Sequence, residues 1–275
     1  MKSILVSDSG LGGLDMAARL LTRYPQGLAI NYINACPAAD HGYQKLDEET
    51  RKRVFRGVLD AMEGFHPERL VLACNTLSVV LEQMGYQPPF PVSGMLGIAT
   101  AAMTHYLETH PENALVVTGT PATISSGIYG ARLTAAGHPN VPQIAIPDLV
   151  NAIEQDPQSS TCRALIHLFA EEARKQVGNR RFAIALCCTH FGYSRPLFEQ
   201  ELPGTDILNP NEHIPFLEHI DAQSPSTFAY HARFPVPPAK LDNITHLFET
   251  RCPSIVQALT SPNINPALFP YPPTA

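Results

Sequence analysis

Two cysteines are placed where they could exchange protons with a substrate. Cys74 and Cys188 each follow a short apolar run that predicts a buried strand, residues 69–73 and 181–186, and each precedes small polar residues. A thiol where a strand ends and a helix begins lies in a positive local potential, which lowers its pKa. Ligands of open α/β sheets bind at the carboxyl ends of strands, so the repeated pattern suggests two similar lobes facing one cleft. A buried structural role for either cysteine stays open from this pattern alone.

The residues beside the two thiols are also suited to bind or activate. Asn75 and Thr76 can donate hydrogen bonds to a carboxylate, and residues 187–190, Cys-Cys-Thr-His, add an imidazole two residues after the second thiol. His190 would either activate Cys188 or be a structural histidine with satisfied hydrogen bonds. Adjacent cysteines do not form a C-x-x-C pair and no second pair has metal-ligand spacing, so the sequence disfavours a zinc site.

Two loops rich in glycine or hydroxyl groups follow other predicted strands. Residues 8–13, Asp-Ser-Gly-Leu-Gly-Gly, could bind an anion through backbone N–H groups or form a tight turn. They lack the third glycine of G-x-G-x-x-G and the lysine of a P-loop, which disfavours a nucleotide site. Residues 119–127 could cradle a carboxylate or cap a helix, and without a G-x-S-x-G elbow a serine hydrolase is disfavoured.

Alternating short apolar runs and helical periodicity predict an α/β protein with a mainly parallel sheet. The 275 residues suffice for one large or two medium domains. Proline punctuation becomes heavy from residue 235, and residues 262–275 are predicted to form an irregular tail. The predicted strands are 4–6, 28–33, 69–73, 91–95, 114–117 and 181–186, and the predicted helices are 14–24, 47–64, 78–84, 98–109 and 161–177.

Composition and charge disfavour several classes of partner. The net charge is -6 and the Lys and Arg residues are scattered, so the basic footprint of a nucleic-acid-binding protein is missing. No apolar stretch approaches the roughly 18 residues that a membrane span needs. The apolar run at residues 4–6 is too short for a secretion signal, so we expect a cytoplasmic protein whose six cysteines are free thiols.

Together these motifs resemble the glutamate racemase branch of the aspartate/glutamate racemase superfamily. The resemblance rests on residues 8–14, 73–76, 119–129 and 188–190, which occur in the family's order and at its approximate spacing. It covers most of the chain up to about residue 248. Four concordant motifs make the match specific.

The resemblance implies a two-lobed architecture. The lobes would be pseudo-symmetric, each a mainly parallel sheet flanked by helices, with the active site in the cleft between them. Residues 1–97 plus 209–250 would form the lobe that carries Cys74. Residues 98–208 would form the second lobe, with Cys188, and residues 251–275 a proline-rich tail.

The resemblance also implies a cofactor-independent reaction that needs no metal. Cys74 would exchange a proton on one face of the substrate Cα and Cys188 on the other. Asp8 would assist Cys74, while His190 and Glu154 would assist Cys188. The residues expected to hold the substrate are Ser9, His41, Gly42, Asn75, Thr76, Thr120, Thr123 and Thr189.

The chemistry of an amino acid agrees with this assignment. An α-proton beside a carboxylate is a very weak acid, so its removal needs a close base and a stabilised developing charge. Inversion needs a proton-transfer group on each face, which explains two cysteines. The implied partner is a small amino acid, most simply glutamate, and the product would be a D-amino acid for cell-wall or peptide synthesis. Whether the protein is a homodimer is left open.

One loop departs from the family pattern. Asp40-His41-Gly42 stands where the family commonly has Pro-Tyr-Gly, and the acidic residue usual shortly before it is missing around Asn34. Cys187 also replaces a usual glycine. Because that loop lines the substrate pocket in the family, a racemase for another amino acid or analogue is an alternative. A non-catalytic amino-acid-binding module is the third hypothesis, against which the retention of both cysteines, Asp8 and His190 argues.

Overall fold

The chain forms two compact α/β units. A computed structural model describes residues 1–38, 42–215, 217–218, 220–221 and 223–266. The first unit comprises Met1–Gly94 with Ile214–Ala275, and the second comprises Met95–His213. The unit boundaries lie at 94/95 and 213/214, where the sequence interpretation had placed them at 97/98 and 208/209.

Strands and helices alternate along most of the chain. The strands are β1 (Lys2–Asp8), β2 (Leu28–Asn34), β3 (Arg69–Leu72), β4 (Val92–Gly94), β5 (Ala114–Gly119), β6 (Gln143–Ala145), β7 (Phe182–Cys187), β8 (Asp206–Leu208), β9 (Thr227–Ala232) and β10 (Asn263–Ile264). The helices are α1 (Leu14–Arg23), α2 (Glu48–Met62), α3 (Asn75–Met84), α4 (Met95–Thr109), α5 (Pro121–Ser125), α6 (Ile128–Ala135), α7 (Leu149–Gln155), α8 (Ser160–Val177), α9 (Arg195–Glu201), α10 (Pro238–Phe248) and α11 (Pro253–Thr260).

The first unit is built on a parallel sheet in the order β10-β9-β2-β1-β3-β4. The central strand β1 is buried along Ile4–Asp8, as expected for a strand covered on both faces. Helix α2 begins at the cap Asp47, whose carboxylate accepts the Thr50 N–H at 2.9 Å. Its apolar residues recur at helical spacing and are buried against the sheet: Val54, Phe55, Val58, Leu59 and Met62.

The second unit is a smaller parallel sheet in the order β6-β5-β7-β8. Its core is closed by α8, which is capped by Ser159 and ends at Gly178 with a φ of 65°. The buried face of α8 runs through Cys162, Ile166, Phe169, Ala170, Ala173 and Val177. The predicted α/β class, with parallel sheets flanked by helices in two lobes, is confirmed.

The predicted irregular tail, residues 262–275, is wrong for residues 263–264, which form β10. Helix α11 buries Ile255 and Leu259, and β10 pairs in parallel with β9. Helix α11 was not predicted from the sequence, since it begins with a proline, Pro253. At that first position a missing N–H costs nothing and the fixed φ suits a helix. Residues 267–275 lie outside the described part of the chain.

The helices described here give no sign of a membrane span, since none of them combines sufficient length with sufficient apolarity.

Candidate active-site residues

Cys74 lies where the strand order of the first sheet reverses. The chain passes from β1 to β2 on one side and later from β3 to β4 on the other. The loops that follow β1 and β3 therefore begin side by side at the carboxyl edge and then lead in opposite directions. Ligands of open α/β sheets bind at such a switch point. The loop after β1 begins with Asp8 and Ser9, and the loop after β3 contains Cys74. We refer to Asp8, Ser9 and Cys74 as the Cys74 group.

The close approach of these two loops requires a glycine. A Cβ atom at Gly13 would lie 2.9 Å from the Cβ of Asp8 and 3.0 Å from both the Cβ and the carbonyl oxygen of Ala73. The loop is also tied at its start, because the Gly10 N–H donates to Oδ1 of Asp8 at 2.7 Å. The glycine-rich sequence therefore serves tight packing beside Cys74.

The Cys74 thiol has two hydrogen-bonding neighbours. Its sulfur lies 3.4 Å from the Ser9 hydroxyl oxygen and accepts the Leu77 N–H at 3.4 Å, so the side chain caps helix α3. Asn75 is buried in the first turn of α3, next to the half-buried Thr76. Both therefore stand at a helix N-terminus, where N–H groups and the helix dipole favour a bound carboxylate.

The expected lowering of the Cys74 pKa is wrong. Burial raises the pKa of this thiol, and the negative charge of Asp8 raises it further. The hydrogen bonds from Ser9 and the Leu77 N–H oppose the rise without cancelling it. The helix N-terminus is present as predicted, but desolvation of the thiolate outweighs it because the side chain is only 4% exposed.

A buried network at the same edge escaped the sequence interpretation. The Tyr32 hydroxyl donates to the Gly10 carbonyl at 2.8 Å, and its ring stacks on Tyr230. The Tyr230 hydroxyl accepts the Asn34 amide N–H at 2.7 Å, and Asn34 in turn accepts the Cys36 N–H. Strand β9 supplies Tyr230 from far along the chain, so no local pattern marks it.

The pocket loop predicted from the family pattern is described only in part. Gly42 precedes a 3₁₀ turn over Tyr43–Lys45, and the buried Tyr43 packs in the same apolar cluster as Cys74. His41 and its neighbour Asp40 lie outside the described residues. Roles for His41 and Gly42 in substrate binding stay predictions.

Cys188 occupies the equivalent place in the sheet of the second unit. Strand β5 lies between β6 and β7, so the loops after β5 and β7 meet at that sheet's switch point. Gly119 at the end of β5 permits close contact with β7, since a Cβ there would lie 2.9 Å from the Cys187 carbonyl oxygen. Cys188 follows β7 directly and is 5% exposed.

The hydroxyls after β5 form a helix cap. Thr120 caps α5 through its side-chain oxygen, which accepts the Thr123 N–H at 3.2 Å. The two hydroxyl oxygens lie 3.0 Å apart. Both threonines thus stand at the carboxyl edge of β5 with their side chains already ordered.

His190 is held between Glu154 and Cys188. Its Nε2 lies 3.0 Å from Oε1 of Glu154 on helix α7, and since a carboxylate can only accept, Nε2 carries the proton. Burial by itself would lower the pKa of His190, but its hydrogen bonds with Cys188 and Glu154 and the charge of Glu154 raise that pKa well above its usual value. We refer to Glu154, His190 and Cys188 as the Cys188 group.

Thr189, between Cys188 and His190, is anchored through its backbone carbonyl. Thr189 is buried, and its carbonyl oxygen accepts the side-chain N–H of Asn211 at 3.0 Å. Cys187 is fully buried, and burial raises its pKa. The sequence interpretation missed Asn211, which has no recognisable motif around it.

The structure thus gathers most predicted site residues into two clusters, one at the carboxyl edge of each sheet. Among the described residues, no group of three or more His, Cys, Asp or Glu side chains, the Cys188 group included, is arranged so that it could hold a metal ion.

Comparison with known proteins assigns the family. A model described as Asp/Glu/Hydantoin racemase matches residues 15–218. The chain belongs to this racemase family. The glutamate racemase of Staphylococcus carnosus (strain TM300) is 33% identical over 198 residues, which cover 69% of this chain and 70% of that protein. The glutamate racemase of Staphylococcus aureus (strain bovine RF122 / ET3-1) is 30% identical over 246 residues, which cover 80% and 87%.

Solved racemase structures share the fold. Glutamate racemase from Campylobacter jejuni subsp. jejuni aligns with a TM-score of 0.73 at 24% identity, covering 90% of this chain and 98% of that one. Glutamate racemase from Francisella tularensis, solved with D-glutamate, aligns with a TM-score of 0.69 at 19% identity over 90% and 94%. The predicted racemase family and its fold are confirmed, and the protein is an isomerase by family.

Proposed function

We propose that this protein interconverts L- and D-glutamate without a cofactor, by proton transfer between the substrate Cα and two cysteines, Cys74 and Cys188. One observation carries the proposal: each unit has a buried thiol with its own charged partner, at the carboxyl edge of a parallel sheet. The curated relatives named above are glutamate racemases, which supports glutamate as the substrate.

The reaction needs only proton transfers. One cysteine thiolate takes the Cα proton, so the C–H bond breaks and its electron pair is delocalised toward the α-carboxylate. The other cysteine donates its thiol proton to the opposite face and becomes the thiolate. The centre is inverted, and the two cysteines have exchanged protonation states, which readies the enzyme for the reverse direction.

The Cys74 group and the Cys188 group would assist proton transfer in different ways. Asp8 and burial favour the protonated thiol of Cys74, so this side is suited to donate a proton. Ser9 and the Leu77 N–H can stabilise the sulfur when it becomes a thiolate. On the other side a protonated His190, held by Glu154, hydrogen-bonds to the Cys188 side chain.

Substrate carboxylates would be bound by neutral donors at helix N-termini. Asn75 and Thr76 stand in the first turn of α3, and Thr120 and Thr123 stand at the start of α5. Such N–H groups and hydroxyls favour bound anions. Ser9, Thr189, His41 and Gly42 complete the proposed substrate-binding set.

Proton NMR of the purified protein in D2O tests this function. A panel of L- and D-amino acids is incubated with enzyme, and loss of each Cα–H signal is followed together with a chiral assay for inversion. We expect exchange and inversion of both glutamate enantiomers. Exchange of another amino acid instead of glutamate would assign a different specificity, for which the Asp40-His41 loop is the first region to test. Exchange of nothing on the panel would reject glutamate as the substrate and point to an unusual substrate or a binding role.

A further inference from the structure

The backbone that joins the thiol to the imidazole in the Cys188 group is held by a side chain from another loop. The carbonyl of Thr189, which lies between Cys188 and His190 in sequence, accepts the Nδ2–H of Asn211 at 3.0 Å. The bond is buried, since Asn211 is 1% exposed and Thr189 is 3% exposed. Burial makes such a bond costly to lose, because the carbonyl would be left without solvent.

Asn211 is itself fixed by its surroundings. It lies in the 3₁₀ turn Pro210–Glu212, and its N–H donates to Oδ1 of Asn209 at 3.3 Å. Asn209 packs against the turn after β7, because a Cβ at Gly192 would lie 2.8 Å from its Nδ2. The turn therefore offers the amide of Asn211 to Thr189 from a rigid position.

We propose that Asn211 is a positioning residue for the Cys188 half of the reaction, which it serves by fixing the peptide between Thr189 and His190. This inference rests on the function proposed above. A peptide unit is planar, so a hydrogen bond to the Thr189 carbonyl also sets the direction in which the His190 backbone leaves it. Loss of the bond frees that plane and lets the imidazole move away from Glu154 and Cys188. Asn211 itself touches neither reacting atom nor substrate in this account.

A matched residue separates this role from ordinary support of the fold. Asn113 is in the same unit and is 9% exposed, and its Nδ2 donates to the Tyr106 hydroxyl at 2.8 Å. It immediately precedes β5, at the amino end of that strand, whereas Cys188 follows the carboxyl end of the neighbouring β7. Replacing either asparagine removes one buried amide donor, but only Asn211 contacts the Cys188 segment.

The experiment compares Asn211→Leu and Asn211→Asp with Asn113→Leu and Asn113→Asp. Each folded variant is assayed with L- and D-glutamate, protiated or deuterated at Cα. The isotope effect on kcat/KM reports how far proton abstraction from that enantiomer limits the rate. The overall equilibrium constant fixes the ratio of kcat/KM for the two enantiomers, so a change in kcat/KM alone cannot show which cysteine is affected. The isotope effects can, because they distinguish proton transfer at Cys188 from proton transfer at Cys74.

We expect both Asn211 variants to lose about tenfold to a hundredfold in kcat, with a smaller change in KM. The isotope effect should rise for one enantiomer, the one whose Cα–H faces Cys188, and fall for the other. The Asn113 variants should keep both isotope effects of the unsubstituted protein. A purely structural role would lower activity without separating the two enantiomers.

Three outcomes would overturn the inference while leaving the proposed function in place. They are unchanged isotope effects in folded Asn211 variants, isotope effects that move together for both enantiomers, and loss of folding in both Asn211 variants when the Asn113 variants fold. Failure of the unsubstituted protein to exchange the Cα–H of glutamate is a different result, which would reject the proposed function and this inference with it.

Discussion

Oε1 of Glu154 lies 3.0 Å from Nε2 of His190, and their side chains are 11% and 5% exposed. Burial by itself would remove the charge from the imidazole, so the partners must supply the free energy that keeps it protonated. In a site of low effective dielectric such a pair interacts strongly. Glu154 and the hydrogen bond with Cys188 therefore together keep the His190 imidazole protonated.

We predict that Glu154→Gln lowers the pKa of His190. Glutamine keeps a hydrogen-bonding side chain but removes the negative charge, so the imidazole loses its proton at a lower pH than in the unsubstituted protein. The measurement is an NMR titration of the His190 ring. Glu201→Gln is the control, because Glu201 pairs with His167 on the surface and should leave His190 unchanged. The same pKa for His190 in Glu154→Gln and in the unsubstituted protein would show that the charge of Glu154 does not hold the proton on His190.

Asp8→Asn should lower the pKa of Cys74. The carboxylate of Asp8 is the second cause of the raised pKa after burial, so its removal lets the thiolate form at a lower pH while desolvation still opposes it. The Cβ carbon of ¹³C-labelled Cys74 reports this in a pH titration by NMR, and Cys74→Ser assigns the signal. Asp15→Asn is the control, since Asp15 pairs with Arg19 and Arg251. An unaltered Cys74 titration in Asp8→Asn would show that Asp8 does not act on the thiol.

Cys74→Ser and Cys188→Ser should each lower the turnover of glutamate in both directions by about 10²- to 10⁴-fold or more, because a proton-transfer group is lost from one face. The changes are near-isosteric, so circular dichroism should report an intact fold. Cys252→Ser is the matched control, a buried cysteine at the start of α11, and should keep full activity. Near-normal turnover in either of the first two variants would rule out the two-base assignment.

Gly13→Ala tests the packing between the loops that carry Asp8 and Cys74. The new methyl would contact Asp8 and Ala73 at 2.9 to 3.0 Å, one of these contacts being backbone, so we expect the free energy of unfolding to fall by about 1–3 kcal/mol. Gly64→Ala is the control in the same unit, where nothing lies within 4 Å, and should be neutral or gain about 0.4–1 kcal/mol. Urea denaturation followed by circular dichroism measures both. Equal free energies of unfolding for the two variants would show that the loop after β1 can shift to accommodate the added methyl group.

Much of the site was predictable because its residues follow strands. Apolar runs ending at Cys74 and Cys188 placed both thiols at sheet edges. The start of α3 was predicted at residue 78 but lies at Asn75, because Cys74 caps the helix with its sulfur, and cysteine is not among the residues that usually mark an N-cap. The pKa of Cys74 was predicted with the wrong sign because sequence shows the helix N-terminus but not the depth of burial.

The long-range contacts that order the site could not be predicted from the sequence. Asn34 and Tyr230 are 196 positions apart, and Thr189 and Asn211 are 22 apart. Asparagine and tyrosine at these positions carry no periodicity or motif, so only the folded chain reveals that they order the loops of the site. The helices that begin at Pro238 and Pro253 were not predicted either, because prolines that begin helices are indistinguishable in composition from prolines in loops.

The fate of the Cα hydrogen in D2O tests the two-base mechanism most directly. L-glutamate is incubated with the enzyme, both enantiomers are separated early in the reaction, and deuterium at Cα is measured by mass spectrometry. We expect D-glutamate that carries deuterium and recovered L-glutamate that still carries hydrogen, with the mirror result when the reaction starts from D-glutamate. Product that retains the substrate's hydrogen, or deuterium that enters recovered substrate as fast as product, would contradict two cysteines acting on opposite faces.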